Sequence, residues 1–145
     1  MKIKIREFKK SDRSKVFNLA YYLMKYEGNK DAKKQADLIL SKRILPTLKN
    51  KNAKTFVAEA DGEVVGFIVV EIRHSLLAAV TFLVVGEKYQ KSGIGKKLME
   101  YSGKYVKRNG IKTIQVMASA ENKKAKSFYD KLGFEFYGYT LRKKV

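Results

Sequence analysis

The sequence feature that most constrains the fold is an apolar run that leads directly into a glycine-containing loop. Residues 78–85 are apolar except for Thr81, as expected for a strand in the middle of a buried sheet. The loop "GEKYQKSGIG" follows, and the residues after it have helical periodicity, with Ile94, Leu98 and Tyr105 on one side. A buried strand that passes through glycines into a long helix predicts a sheet with helices packed on it.

The other elements follow from hydrophobic periodicity and turn residues. Asp61-Gly62 lies between two β-rich runs and predicts a hairpin with a type I′ turn. Pro46 is expected to disturb or end a helix that starts at Asp31. The predicted order is β-α-α-β-β-β-α-β-α-β, with strands at 2–8, 55–60, 63–73, 78–85, 111–119 and 134–141, and helices at 11–26, 31–46, 93–109 and 123–132. The chain is therefore predicted to be an α/β protein with a mixed sheet, in which residues 1–145 form a single domain.

Composition excludes several kinds of chemistry. The 145 residues carry a net charge of +18 and include no cysteine and one histidine, His74. Disulfides, thiolate zinc sites and a cysteine nucleophile are excluded, and metal sites and Ser-His-Asp triads lack most of their usual parts. The lysines are scattered, so we expect a solvated surface that attracts small polyanions, without nucleic acid as the principal partner. No apolar run approaches the roughly 20 residues that cross a bilayer, and the N-terminus has no signal-peptide pattern, so a cytoplasmic protein without a membrane partner is expected.

The glycine loop has the chemistry of an anion site. The first turn of a helix offers free N–H groups and the positive end of the helix dipole. Gly93 and Gly95 have no β-carbon, so a diphosphate can approach the main chain, and Lys91 and Lys96 add positive charge. A Walker loop does not fit, because it needs a glycine where Gln90 stands, and the spacing also departs from the dinucleotide-binding fingerprint.

A second motif lies about thirty residues after the loop, in the stretch "NKKAKSFYDKLGF". Together with the apolar strand, the Gln-x-x-Gly-x-Gly loop and the long helix, it resembles the GNAT superfamily of N-acetyltransferases over nearly the whole chain. The residues of the second motif that match are Asn122, Ala125, Phe128, Tyr129, Leu132, Gly133 and Phe134.

The resemblance implies that acetyl-CoA is the co-substrate and that no metal takes part. The pyrophosphate is then expected in the loop formed by Gln90, Lys91, Ser92, Gly93, Ile94, Gly95 and Lys96. The main-chain groups of Leu83, Val84 and Val85 are expected to pair with the pantetheine arm, which requires a sheet that splays between the fourth and fifth strands. Asn122 is expected to hydrogen-bond the pantetheine, although an asparagine here is equally suited to begin a helix.

The resemblance also implies that an amine attacks the thioester directly, without a covalent enzyme intermediate. Tyr129 is then the residue expected to donate a proton or a hydrogen bond to the leaving thiolate. A phenol with a pKa near 10 is protonated at neutral pH, as this role requires. The chain has nine tyrosines, and the register within the second motif singles out Tyr129.

The general base is the point at which the sequence departs from familiar family members. Many of them carry a glutamate early on the cofactor strand or on the fifth strand, where this chain has Ala79 and Gln115. Glu71, at the end of the third strand, is the candidate for the catalytic base, and His74 is a second one. Glu71 could equally be a solvated edge residue and His74 a structural one. A water chain, or an amine that arrives neutral, would also serve.

The resemblance assigns the choice of acceptor to the first two helices and the late loops. Tyr21, Tyr22 and Tyr26 could line an acceptor cleft or form an amphipathic helix face. The positive charge disfavours polycationic acceptors unless Glu27 and Asp31 form a local acidic mouth. A protein N-terminus, a lysine side chain and a small amine all remain open as acceptors.

The sequence thus favours an acetyl-CoA-dependent N-acetyltransferase. The alternative is a non-catalytic GNAT-like module that binds CoA or nucleic acid through its basic surface. The last predicted strand is exposed and could pair with another subunit to form a homodimer.

Overall fold

A computed structural model describes residues 1–145 and contains one mixed sheet of five strands in the order β1-β2-β3-β4-β5. The strands are β1 (Ile3–Glu7), β2 (Ala53–Ala60), β3 (Glu63–His74), β4 (Leu77–Val85) and β5 (Ile114–Val116). Strands β1 to β4 pair antiparallel, whereas β5 lies parallel to β4. This sheet and its helices confirm the predicted fold class.

Four α-helices pack on the sheet. They are α1 (Arg13–Tyr26), α2 (Ala32–Leu38), α3 (Ile94–Arg108) and α4 (Lys123–Lys131). After α2 the chain continues as a π-helical segment, Ile39–Ile44, and then as a 3₁₀ turn, Leu45–Leu48, which contains Pro46 near its start. The predicted disturbance at Pro46 therefore coincides with the change from π-helical to 3₁₀ geometry. None of the helices combines the length and the apolar character that a membrane crossing requires.

Each face of the sheet has its own hydrophobic core, because successive side chains of a strand point to opposite faces. One face, here called the α1–α2 face, is covered by α1, α2 and the π-helical segment. It includes the buried side chains of Val57, Phe67, Val69 and Val84. The other face, here called the α3 face, is covered by α3 and, at its edge, by α4. It includes the buried side chains of Phe56, Ile68, Val70 and Val80.

The β2–β3 hairpin has the predicted turn. Asp61 and Gly62 both have positive φ angles, 51° and 87°, as a type I′ turn requires. Lys2 donates its backbone N–H to the carboxylate of Asp61 at 2.9 Å, which ties the first strand to this turn.

The sheet opens between β4 and β5, as predicted. Only Ala78–Val80 of β4 pair with β5, and the β5-facing edge of 81–85 has no strand beside it. The opening begins at a β-bulge, because Val70 pairs with Val80 and Val69 with Phe82, so that Thr81 is an extra residue in β4. A bulge increases the local twist of its strand, which accounts for the divergence of β4 from its neighbour.

The predicted sixth strand at 134–141 is wrong, since no helix or strand follows α4. A strand needs a neighbour with free N–H and C=O groups along its edge, and β5 has only three residues of the predicted 111–119. Phe136, Tyr137 and Tyr139 lie exposed in this last segment. The homodimer stays a prediction, but the exposed last strand that suggested it is absent from the structure.

Candidate active site

The loop between β4 and α3 presents a row of free N–H groups. Left-handed backbone at Lys91 (φ 64°) and Gly93 (φ 86°) turns the chain into α3. The backbone N–H groups of residues 91–96 donate to no acceptor within the protein, and the first amide that does so is that of Lys97, to Gly93. Six successive free donors at the positive end of a 15-residue helix are suited to bind an anion.

Gln90 joins this loop to three other elements. Its side-chain Nε2 donates to the hydroxyl of Tyr22 at 3.3 Å and to the carbonyl of Val85 at 3.2 Å. Its Oε1 accepts from Nζ of Lys124 at 3.0 Å. One amide side chain thus links the loop to α1, to the end of β4 and to α4, and it brings a lysine from α4 beside the free N–H groups.

Gly95 lies where α3, α4 and the end of β4 meet. A β-carbon on Gly95 would lie 3.2 Å from Cζ of Phe128 and 3.8 Å from Cγ2 of Val85. The first distance is shorter than ordinary van der Waals contact, so the absence of a side chain allows α4 to approach the first turn of α3. The open edge of β4, the free N–H groups and α4 are therefore adjacent.

Tyr129 lies on α4, next to Phe128. Its ring makes edge-to-face contacts with Phe128 and Phe134, with centroids 5.1 Å and 5.5 Å apart. Burial among these aromatic residues raises the pKa of Tyr129 to about 12, because the charged phenolate is poorly solvated there. The hydroxyl has no hydrogen-bond partner within the protein, and the side chain is partly buried. A protonated, unpaired phenol can donate to a group that enters the site.

Asn122 caps α4. Its Oδ1 accepts the backbone N–H of Ala125 at 3.0 Å, as an N-cap side chain does. The helix-start role that the sequence left open is thus present. The amide nitrogen of Asn122 donates to no protein acceptor, so hydrogen bonding to a pantetheine stays a prediction.

Glu71, Ala79 and Gln115 form one row across three strands. Glu71 pairs directly with Ala79 on β4, and Ala79 pairs with Gln115 on β5. Side chains of directly opposed residues lie on the same face of a sheet, and the row falls on the α1–α2 face with Phe67 and Val69. The carboxylate is therefore one strand away from Ala79 and two strands away from Gln115, the positions at which the resemblance implies a glutamate.

The Glu71 carboxylate is held by two arginines. Arg43 donates to its Oε2 at 2.9 Å, and Nη2 of Arg73 lies 3.5 Å from its Oε1. An acceptor ammonium would have to share these oxygens with the guanidinium groups. His74 is exposed at the end of β3, where its Nδ1 accepts the backbone N–H of Leu76 in the following turn at 3.1 Å. The role of Glu71 as a base stays a prediction, and His74 has a local structural contact.

The turn between α1 and α2 borders an open groove of about 530 Å³. Four lysines and two aspartates line it, and Glu27 does not. The lining residues are Tyr21, Lys25, Asn29, Lys30, Asp31, Ala32, Lys33, Lys34 and Asp37. The acidic mouth that would admit a polycationic acceptor is therefore not formed here, because lysines outnumber carboxylates around Asp31.

Sequence reasoning missed several residues of this region. The expected place of Tyr22, in an acceptor cleft or on a helix face, gives no hint that its hydroxyl contacts Gln90. Lys124 and Arg43 were not singled out, since nothing in a lysine-rich sequence distinguishes one cation from another. The bulge at Thr81 could have been suspected, because Thr81 is the one polar residue in an otherwise apolar strand.

Comparison with known proteins identifies the family that this fold and this loop define. The sequence matches the profile of the Acetyltransferase (GNAT) family over residues 17–134. This match covers most of the chain, so the protein belongs to the GNAT family of acetyltransferases, as the resemblance predicted.

Curated relatives share part of the chain. An N-alpha-acetyltransferase from Sulfurisphaera tokodaii is 36% identical over 100 residues, which are 61% of this chain and 60% of that protein. An uncharacterized N-acetyltransferase from Methanocaldococcus jannaschii is 31% identical over 86 residues, or 55% of this chain and 38% of the relative. The chain therefore spans about two fifths to three fifths of the length of these relatives.

The fold matches a solved structure over almost its whole length. The PaiA N-acetyltransferase from Thermoplasma acidophilum, in complex with coenzyme A, superposes with a TM-score of 0.86 and 25% identity. The match covers 97% of this chain and 94% of the other. The groups present here fit such a ligand, because six free N–H groups suit a diphosphate and the unpaired edge of β4 suits a chain of amides.

Proposed function

We propose that this chain transfers the acetyl group of acetyl-CoA to an amine. The observation that carries the proposal is the row of six unpaired N–H groups at residues 91–96, directly beside the unpaired edge of β4. A diphosphate would satisfy these donors, and the amides of a pantetheine arm would satisfy the strand edge. The names of the relatives from S. tokodaii and M. jannaschii support an amine as the acceptor.

Different residues would hold each part of acetyl-CoA, from the diphosphate of the ligand to its sulfur. The loop 91–96 would bind the diphosphate through its main chain, with Gln90 holding the loop against β4 and Lys124 adding charge. The main chain of residues 83–85 would pair with the pantetheine, and the free amide nitrogen of Asn122 would donate to it. Tyr129 would face the sulfur.

The proposed chemistry requires that two protons leave the acceptor nitrogen and that one proton reaches the sulfur. Acetyl-CoA supplies the acetyl group as a thioester. The acceptor ammonium gives one proton to the Glu71 carboxylate or to water, and its nitrogen lone pair forms the new C–N bond. As the C–S bond breaks, Tyr129 gives its phenolic proton to the sulfur, and water returns a proton to Tyr129 while taking the second nitrogen proton. The aromatic surroundings that keep Tyr129 protonated suit it to this step.

The alternative is a module that binds CoA without catalysis. One observation favours it: both oxygens of the Glu71 carboxylate contact arginines. The net charge of +18 also suits an anionic partner. The free hydroxyl of Tyr129 favours the enzyme, since a purely binding module needs no proton donor at that place.

Two measurements separate these functions. Protection of the folded chain by acetyl-CoA in thermal unfolding tests the shared binding site. Release of free CoA thiol in the presence of a panel of amines then tests transfer. Protection together with amine-dependent thiol release supports the acetyltransferase. Protection without any amine-dependent release supports the binding module, and absence of protection contradicts both.

A further inference from the structure

An arginine on the π-helical segment lies next to the opening of the sheet. Arg43 contacts Glu71 through one nitrogen, and its guanidinium lies 5.9 Å from the ring centroid of Phe82. Phe82 directly follows the bulge at Thr81, whereas Glu71 pairs with Ala79, which precedes it. Arg43 therefore lies beside the point at which β4 separates from β5, and it contacts residues on both sides of that point.

The guanidinium of Arg43 has unused donors. An arginine has five N–H groups in a planar fork, and only Nη2 of Arg43 donates to a protein acceptor. The side chain is 43% exposed, so the remaining N–H groups are accessible. The Phe82 ring, whose centroid lies 5.9 Å from Cζ of Arg43, attracts the guanidinium, and the free edge of the guanidinium matches a carboxylate or a phosphate group.

The pair of Arg43 and Glu71 offers opposite charges at short range. The two side chains are 2.9 Å apart, so they can bind an anionic group and an ammonium group that lie close together in one small molecule. An acceptor anion on the free edge of Arg43 would weaken its hold on the carboxylate, leaving Glu71 to the neighbouring ammonium. Of the two arginine contacts that argue against Glu71 as a base, the shorter one, with Arg43, would then be relieved by the acceptor itself, and the longer one, with Arg73, would remain.

We propose that the acceptor is an amine with a carboxylate or a phosphate on the same or the next carbon, bound by Arg43 through its anion and by Glu71 through its ammonium. This inference rests on the proposed acetyltransferase function and adds the class of acceptor. Arg43 is the residue that determines this specificity. The basic groove at the α1–α2 turn adds a field that attracts anionic molecules to the same face of the protein.

Matched pairs of acceptors test the inference. An L-amino acid and its amide form the carboxylate pair, and O-phosphoethanolamine and ethanolamine form the phosphate pair. Because the members of a pair also differ in amine basicity, the decisive quantity is the change in their kcat/KM ratio when Arg43 is replaced. We expect the wild type to prefer the anionic member of at least one pair, and Arg43→Gln to lower that preference by at least about tenfold, mainly through KM.

Two further variants control for charge and folding. Lys42→Gln removes an exposed cation from the same segment and should leave the preference unchanged. Arg43→Lys keeps the charge without the planar fork and should retain part of the preference. Thermal unfolding of Arg43→Gln with and without acetyl-CoA checks that its fold and cofactor site persist.

The outcomes distinguish the two proposals. Transfer to amines with the same preference in wild type and Arg43→Gln, or without preference for the anionic member in either pair, would overturn the acceptor class and leave the acetyltransferase intact. No transfer to any amine would overturn the acetyltransferase and the acceptor class with it.

Discussion

Gly95 and Phe128 meet where the first turn of α3 contacts α4, and a β-carbon on residue 95 would come within 3.2 Å of the phenylalanine ring. Phe128 in turn makes an edge-to-face contact with Tyr129. The position of the proposed proton donor thus depends on a glycine in the proposed diphosphate loop. This contact couples the two sequence motifs physically.

Gly95→Ala should destabilise the protein by about 1 kcal/mol and lower kcat, because the methyl group must displace Phe128 and with it Tyr129. Gly103→Ala is the matched control, since it lies in the same helix and its added β-carbon would have no neighbour within 4 Å. That control should gain about 0.5–1 kcal/mol through helix propensity. Urea unfolding of both variants checks the difference, and an equal gain for Gly95→Ala would contradict the close contact.

Tyr129→Phe should lower kcat by about 10²- to 10³-fold while the affinity for acetyl-CoA changes by less than about threefold. The Tyr129 hydroxyl has no hydrogen-bond partner within the protein, so its removal should affect the transfer step and not the fold. Steady-state kinetics together with calorimetric titration of CoA measure the two effects. Tyr137→Phe, which alters an exposed side chain, is the control. An unchanged kcat would remove Tyr129 from catalysis.

The same substitution should change the stability at alkaline pH. The pKa of Tyr129 is raised to about 12, so the folded state keeps its proton between pH 10 and 12, where the unfolded chain loses it. The corresponding stabilisation is present below pH 10 and is lost as the pH rises toward 12, by about 2 kcal/mol. The wild type should therefore lose more unfolding free energy than Tyr129→Phe between pH 9 and 11.5. Parallel curves for both proteins would show that the phenol is not buried in this way.

Ser102→Ala should stabilise the protein by up to about 1 kcal/mol. Ser102 is fully buried on α3, and its hydroxyl has no hydrogen-bond partner, so the variant removes an unsatisfied polar group. Ser127→Ala, an exposed change on α4, reports the gain from helix propensity alone. The melting temperature of Ser102→Ala should rise above that of the control, and a lower value would indicate that the hydroxyl is satisfied.

Local patterns of sequence predicted most of the fold. The apolar strand, the Asp61-Gly62 turn and the long helix each depend on contacts within a few residues, and each is present in the structure. The last strand at 134–141 depended on a partner far along the chain. Its β-rich sequence could not reveal that β5 has only three paired residues.

The part of the candidate site that consists of backbone groups could be predicted from the sequence. The loop with free N–H groups follows from glycines at a strand-to-helix junction, which the sequence displays. Contacts between distant side chains were not readable, such as that of Gln90 with Tyr22 or of Glu71 with Arg43. These depend on the packing of the α1–α2 face and not on any spacing within a motif.

A crystal structure of the protein with bound CoA tests the central claim most directly. We expect diphosphate oxygens about 3 Å from backbone nitrogens of residues 91–96, and the CoA sulfur within hydrogen-bond reach of the Tyr129 hydroxyl. A diphosphate bound elsewhere, or a sulfur remote from that hydroxyl, would contradict the account.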